Sequence, residues 1–345
     1  MRRKKIFGLF GIILSVVVAR AQAPEPTGII VGSGNFFSPI VGNLDRALAF
    51  YRDGLRLDVQ GAPANADENP ALRNMFGLPN ARLRWSVARP SGMRTGVEIV
   101  EIQQAGGKAV ERRMQDSGAV TLIVFVSDIN AILTRMKPLG ATIVSVGGGP
   151  FEFPGRGGVA HGVMLKDPDG HFVEMYQPAP SAGEAAATNT ADVTQVRVRL
   201  TVDDASQAQR LYQQLGLQGV LDSAFTSNPT VMRMFGLPAE AQFRVASMTV
   251  PTSGLLLEFI EFKGVDRKAV RSNIQDPGST RIQLQVRDVD AAVTLLKAAG
   301  GTVISTGGAT VDLPGRGGTV TKTAIVRDPN NLFLVLIQTA PPRNP

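Results

Sequence analysis

Four segments of the chain carry apolar residues at helical spacing, and each opens on a short polar residue of the kind that caps a helix. After Asn43, the residues Leu44, Ala47, Leu48, Tyr51 and Leu55 share roughly one face, with Gly54 weakening the end. After Asp128 the same spacing runs through Ile129, Ile132, Leu133, Met136 and Leu139 to a stop at Gly140, and Asp204 opens a similar third helix. After Asp288 the fourth stripe is Val289, Ala292, Val293, Leu296 and Ala299, closed by Gly300 and Gly301. Between these helices the period falls to two. Short β-branched strands follow, such as ATIVSV from Ala141 and GTVIST from Gly301. FVEMYQ from Phe172 is entered through the turn DPDG at Asp167, and LFLVLIQ from Leu332 through DPNN at Asp328. The pattern predicts an α+β chain that reads βαβββ four times.

Comparing the chain with itself adds a second level. NPALRNMFGLP from Asn69 answers NPTVMRMFGLP from Asn228, KAVERRMQDSG from Lys108 answers KAVRSNIQDPG from Lys268, and PGRGG recurs at Pro154 and Pro314. An ordered series at one offset of about 160 residues marks a duplication. The halves span 28–178 and 193–338, each with two modules, joined by a linker of small and polar residues over 179–192.

Residues 1–21 stand apart. Arg2, Arg3, Lys4 and Lys5 precede an apolar run from Ile6 to Ala19, with small residues at Ala19 and Ala21, the layout of a secretory signal peptide cut before Gln22. The expected destination is secreted or periplasmic, with no membrane contact after cleavage. The whole chain has 36 basic and 29 acidic residues. Losing Arg2, Arg3, Lys4, Lys5 and Arg20 takes 36 to 31, so the mature charge is near +2 and nucleic acid is an unfitting partner. With no cysteine, disulfides, thiolate nucleophiles and cysteine metal sites are excluded. No dinucleotide fingerprint appears either, since GSGNFF at Gly32 lacks the later glycine.

LDRALAFYRDGL from Leu44 and DPDGHFVEMYQ from Asp167, set in four βαβββ modules, resemble the vicinal oxygen chelate (VOC) superfamily. That superfamily includes glyoxalase I, methylmalonyl-CoA epimerase, extradiol dioxygenases and the bleomycin and fosfomycin resistance proteins. The resemblance implies tandem glyoxalase-like domains whose paired modules form cups. In metal-dependent members each module offers a His on its first strand and a Glu on its last, holding a divalent metal ion. Carried onto this chain, the His positions fall at or beside Phe36 and on Thr121, Arg197 and Arg281, while the acid positions fall on Glu98, with Glu101 nearby, and on Glu174, Glu258 and Val335. None of the four expected histidines is present.

The chain's two histidines are His161, where alternation places it either in a cup or against a strand neighbour, and His171, read as a turn or surface residue. Glu98 and Glu174 remain as possible metal ligands and catalytic acids, with Thr121 completing the shell. Arg197 and Arg281 argue instead for salt bridges if modules pair across the halves. Arg156 and Arg316 of the PGRGG loops are either anion clamps or turn residues, and the MFGLP stretches either cover a cup or pack in the core. The expected function is an exported small-molecule binder of glyoxalase or bleomycin-resistance type without the usual His-ligated metal. Two alternatives stand beside it: a divergent metal-dependent lyase, isomerase or dioxygenase using Glu98 and Glu174, and a structural or partner-binding duplicate.

Overall fold

A computed structural model of the chain describes residues 26–338, apart from 68, 156–157, 181–190, 223 and 315–318. The signal segment, Arg156 and Arg316 lie outside the described residues, as does most of the linker.

Asn43, Asp128, Asp204 and Asp288 cap their helices as the pattern predicts. Each side chain accepts from a backbone N–H of the first turn. Gly140 closes its helix in the left-handed region at φ 93°, where a Cβ is costly. The first helix departs from expectation. After Leu44–Ala49 it widens into a π-turn over Phe50–Gly54, and a Cβ on Gly54 would come 3.0 Å from Met136 of the second helix. Close helix contact explains the glycine.

The strands form two sheets, and each sheet takes one module from each half. In the first, the module-one strands Ser38–Val41, Val97–Gln103, Arg82–Arg89 and Asp58–Val59 continue into the module-four strands Thr280–Val286, Phe333–Gln338, Val320–Arg327 and Thr302–Val303. The seam is antiparallel and in two stretches, Thr280 and Arg281 against Pro39 and Ser38, and Leu284–Val286 against the strand Ile30–Ser33. In the second sheet, module two (Val120–Val126, Phe172–Gln177, Gly158–Lys166) meets module three (Val193–Thr201, Leu256–Lys263, Gln242–Thr249) along a more continuous seam, Arg199 opposite Thr121 and Arg197 opposite Ile123. The pairing of modules, open at the level of sequence, is therefore crossed. The helices and the backs of both sheets share one large core, while a smaller apolar cluster lines each concave face.

The KAVERRMQDSG and KAVRSNIQDPG repeats hold the halves together. Asp276 accepts from the Lys108 amide at 3.0 Å, and Asp116 accepts from the Lys268 amide at 2.9 Å. Each repeat caps the other across an approximate two-fold axis. Buried Arg112 spans the same junction, donating to Ser272 Oγ and the Gly278 carbonyl, and burial lowers its pKa to about 10.

Candidate functional site

Strand alternation decides which side chains enter a cup. In the sheet of modules two and three, Glu174 and Glu258 lie on the concave face, and with them Thr121, Arg197 and Arg199, by the registers Glu174–Ile123, Glu258–Arg199 and Arg199–Thr121. Their charges close on one another. Arg199 Nε donates to Glu258 Oε2 at 2.8 Å and Arg199 Nη1 donates to Glu174, while Arg197 Nη1 reaches Glu258 Oε1 at 3.4 Å. Burial would by itself lower the Arg199 pKa, but the two carboxylates outweigh it and raise it. Burial raises the Glu174 pKa, with Arg199 opposing. Aromatic rings complete the packing: Phe235 lies 5.2 Å from the Arg199 guanidinium and Phe125 4.7 Å from that of Arg197. The Thr121 hydroxyl is buried against Met114 Sδ, and a Cβ on Gly162 would come 2.7 Å from Met234 Sδ. This cup is occupied by its own side chains.

The sheet of modules one and four keeps space on its concave face. A cavity of about 200 Å³ is walled by Leu72, Met75, Phe76, Trp85, Val100 and Val335, with Glu98, Arg281 and Gln283 among its lining. Glu98 Oε2 accepts from Gln283 Nε2 at 2.7 Å and from Arg281 Nη2 at 3.1 Å. Gln283 Oε1 in turn accepts from the Asn35 amide, and Asn35 Oδ1 from the Gly96 amide, so the polar group is braced from behind. The Arg281 side chain is 1% exposed, lies 4.7 Å from the Phe76 ring, and has an Nε without a hydrogen-bond partner. Burial lowers its pKa, with Glu98 opposing.

The candidates from the sequence sort clearly. Glu98 and Glu174 stand in different sheets, each against an arginine, so the structure does not bring them together. Arg197 and Thr121 do share a cup with Glu174. Glu101 faces away from the cup and pairs with Arg84 at 3.0 Å. Module one places Ser38, not Phe36, beside Glu98; Phe36 belongs to the core, because the chain enters this strand irregularly after Ser33. His161 lies on the convex side, since Met164, its neighbour by three residues, is the one paired with Glu174, and it faces Glu152 at 3.9 Å. Both MFGLP stretches line cups, Met75 and Phe76 the open one and Met234 and Phe235 the filled one.

His171 is corrected from turn or surface residue to buried ion partner. Its Nδ1 sits 3.1 Å from both Asp167 oxygens, its Nε2 3.2 Å from the Ser279 carbonyl of the other half, and Tyr51 also donates to Asp167 at 2.9 Å. Burial opposes the imidazolium, but Asp167 overcomes it and raises the His171 pKa. Arg199 and Gln283 were missed, although each lies two residues beyond a named position and so on the same face.

These donor sets do not fit the metal that the superfamily's cups hold. Among the described residues no three His, Asp or Glu side chains gather, and a dication between Glu174 and Glu258 would meet the Arg199 guanidinium. Likewise no helix among them is long and apolar enough to cross a membrane.

Comparison with known proteins agrees with the architecture. No curated protein matches the chain significantly. Among solved structures, glyoxalase I from Zea mays superposes with a TM-score of 0.53 at 16% identity, covering 88% of this chain and 92% of that one. A putative dioxygenase from Bacillus subtilis gives 0.51 at 12% identity, covering 91% and 87%. Residues 35–175 match the model of the Glyoxalase/Bleomycin resistance protein/Dioxygenase superfamily. Over those residues the chain is similar to that superfamily, and its two crossed sheets carry the α+β fold of the glyoxalase I structure over most of their length.

Proposed function

We propose that this chain binds a small, largely apolar molecule in the cup of modules one and four, without a metal, and that it does so after export. The observation that carries the reading is the cavity of about 200 Å³ whose apolar walls surround one braced polar group, Glu98 with Arg281 and Gln283. A cavity of roughly 150 Å³ takes up benzene, so this one suits a single ring with a short substituent. Glu98 is engaged by two donors, which favours a binding role over that of a free base for lyase chemistry. The other cup, filled by its own ion pairs and rings, supports a structural role for modules two and three. The basic and apolar order of residues 1–21 supports export to the periplasm or the medium.

Trp85 is the chain's single tryptophan and lines the cavity, so its fluorescence reports on this cup alone. Titration with small alkylbenzenes is expected to give a saturable change, lost in Val335→Phe, which fills the space. An unsaturable response, or one equal in Val335→Phe, would sink the reading.

A further inference from the structure

Resting on that binding reading, we infer the chemical class of the ligand: a small apolar alcohol that gives its hydroxyl proton to Glu98. The Glu98 carboxylate has two oxygens, and the protein engages one. Oε2 accepts from Gln283 Nε2 and Arg281 Nη2, whereas Oε1 has no donor among the described residues and is not one of their sealed polar atoms. The Glu98 side chain is 17% exposed and lines the cavity, which makes Oε1 the acceptor open to an occupant. The unpartnered Nε of Arg281 is closed off from the cavity and offers a ligand nothing.

The open oxygen dictates what an occupant must supply. An apolar molecule that fills the cup displaces the water around Oε1, and leaving a charged acceptor unmet costs more than leaving a neutral group unmet. The ligand therefore has to bring a donor. Arg281 limits the kind: it is buried and already compensates Glu98, so a ligand ammonium would give up its own water for a spent partner and lie near a fixed guanidinium. A ligand carboxylate would face Glu98 with no proton between them. A hydroxyl avoids both penalties, and its oxygen can also accept. Gln283 holds a proton for it, because Oε1 of that amide is fixed on the Asn35 N–H and only one of the two Nε2 protons is used on Glu98. An ether or ketone could meet that proton but would leave Glu98 bare.

The test uses five compounds of one shape on the full chain, read by Trp85 fluorescence: 3-phenylpropan-1-ol, its methyl ether, propylbenzene, 3-phenylpropylamine and 3-phenylpropanoate. The alcohol is expected to bind tightest, at least about tenfold tighter than the ether, the difference that a hydrogen bond to a charged group makes. The carboxylate is expected to bind weakest. In Glu98→Gln the side-chain oxygen turns to the two protein donors, Arg281 and Gln283, and an N–H₂ takes the place of Oε1. That substitution reverses the polarity the ligand meets, so the alcohol's advantage over the ether is expected to fall to about twofold or less and the carboxylate to gain. An advantage of the alcohol over the ether below about tenfold, tightest binding by the amine or the carboxylate, or an unchanged ratio in Glu98→Gln would each overturn the ligand class while leaving the cavity reading intact. Failure of all five compounds to bind would overturn the binding reading itself.

Discussion

The two cups are built from the same repeat and have come to opposite ends. In the sheet of modules two and three the acid positions hold Glu174 and Glu258, and Arg197 and Arg199 answer them until the interior is neutral and packed. In the sheet of modules one and four the corresponding positions hold Glu98 and Val335, with one buried arginine between them and a cavity left over. One acid replaced by valine removes the partner for a second arginine and leaves volume in its place. The contrast recurs at the turns that feed the last strands. Asp167 has His171 and Tyr51; Asp328, in the equivalent turn, has Tyr212 at 3.0 Å but Leu332 where the histidine stands, and burial pushes its pKa up to about 6.

The largest expected effect comes from removing the hub of the filled cup. Arg199→Met strands two buried carboxylates and is expected to cost about 3–5 kcal/mol in urea denaturation, whereas Arg281→Met, with Glu98 at 17% exposure and still held by Gln283, is expected to cost about 1–2 kcal/mol. Equal costs would erase the distinction between the cups. Next comes pH. The Asp328 carboxyl binds its proton more tightly folded than unfolded, because burial raises it from 3.8 to about 6. Its contribution therefore grows as pH falls from above 6 to below 3.8, by about 3 kcal/mol at most. Urea midpoints measured across that window are expected to lose this rise in Asp328→Asn; an unchanged slope would place the titration elsewhere.

Packing supplies a smaller contrast. Gly162→Ala drives a methyl against Met234 and Phe153 and is expected to cost about 1–3 kcal/mol, while Val335→Ile adds a methyl to open space and is expected to change stability by less than about 0.5 kcal/mol. The smallest expected effect is that of metal. Zinc or manganese added to mature protein purified without a His tag is expected to shift the melting temperature by under about 1 °C and to leave no stoichiometric metal by mass spectrometry. A shift of several degrees would return Glu98 or Glu174 to the role of ligand.

Much of the fold was legible because it rests on local periods: the caps at Asn43, Asp128, Asp204 and Asp288 and the alternating strands are written in consecutive residues. Module pairing was not, because the seam of Arg199 with Thr121 joins segments whose own patterns fit either arrangement. The same limit governs the site. Arg197 and Glu174 could be placed by register within a module, but the face of His161 depended on knowing which strand neighbour pairs with Glu174. His171 looked like a turn residue because its cover, Ser279, comes from the other half. The cavity is a property of absent volume, and no single residue announces it.

The reciprocal caps of Asp116 and Asp276 bear on how the chain reaches its fold. Each closes a loop of more than 150 residues, 152 between Asp116 and Lys268 and 168 between Lys108 and Asp276. Contacts so distant along the chain form late and slow the search for the native state. Module one cannot complete its sheet until module four exists, so a growing chain holds an unpaired sheet edge until the strand Thr280–Val286 is available. Were the protein exported as proposed, such a delay would keep the polypeptide threadable until it had crossed.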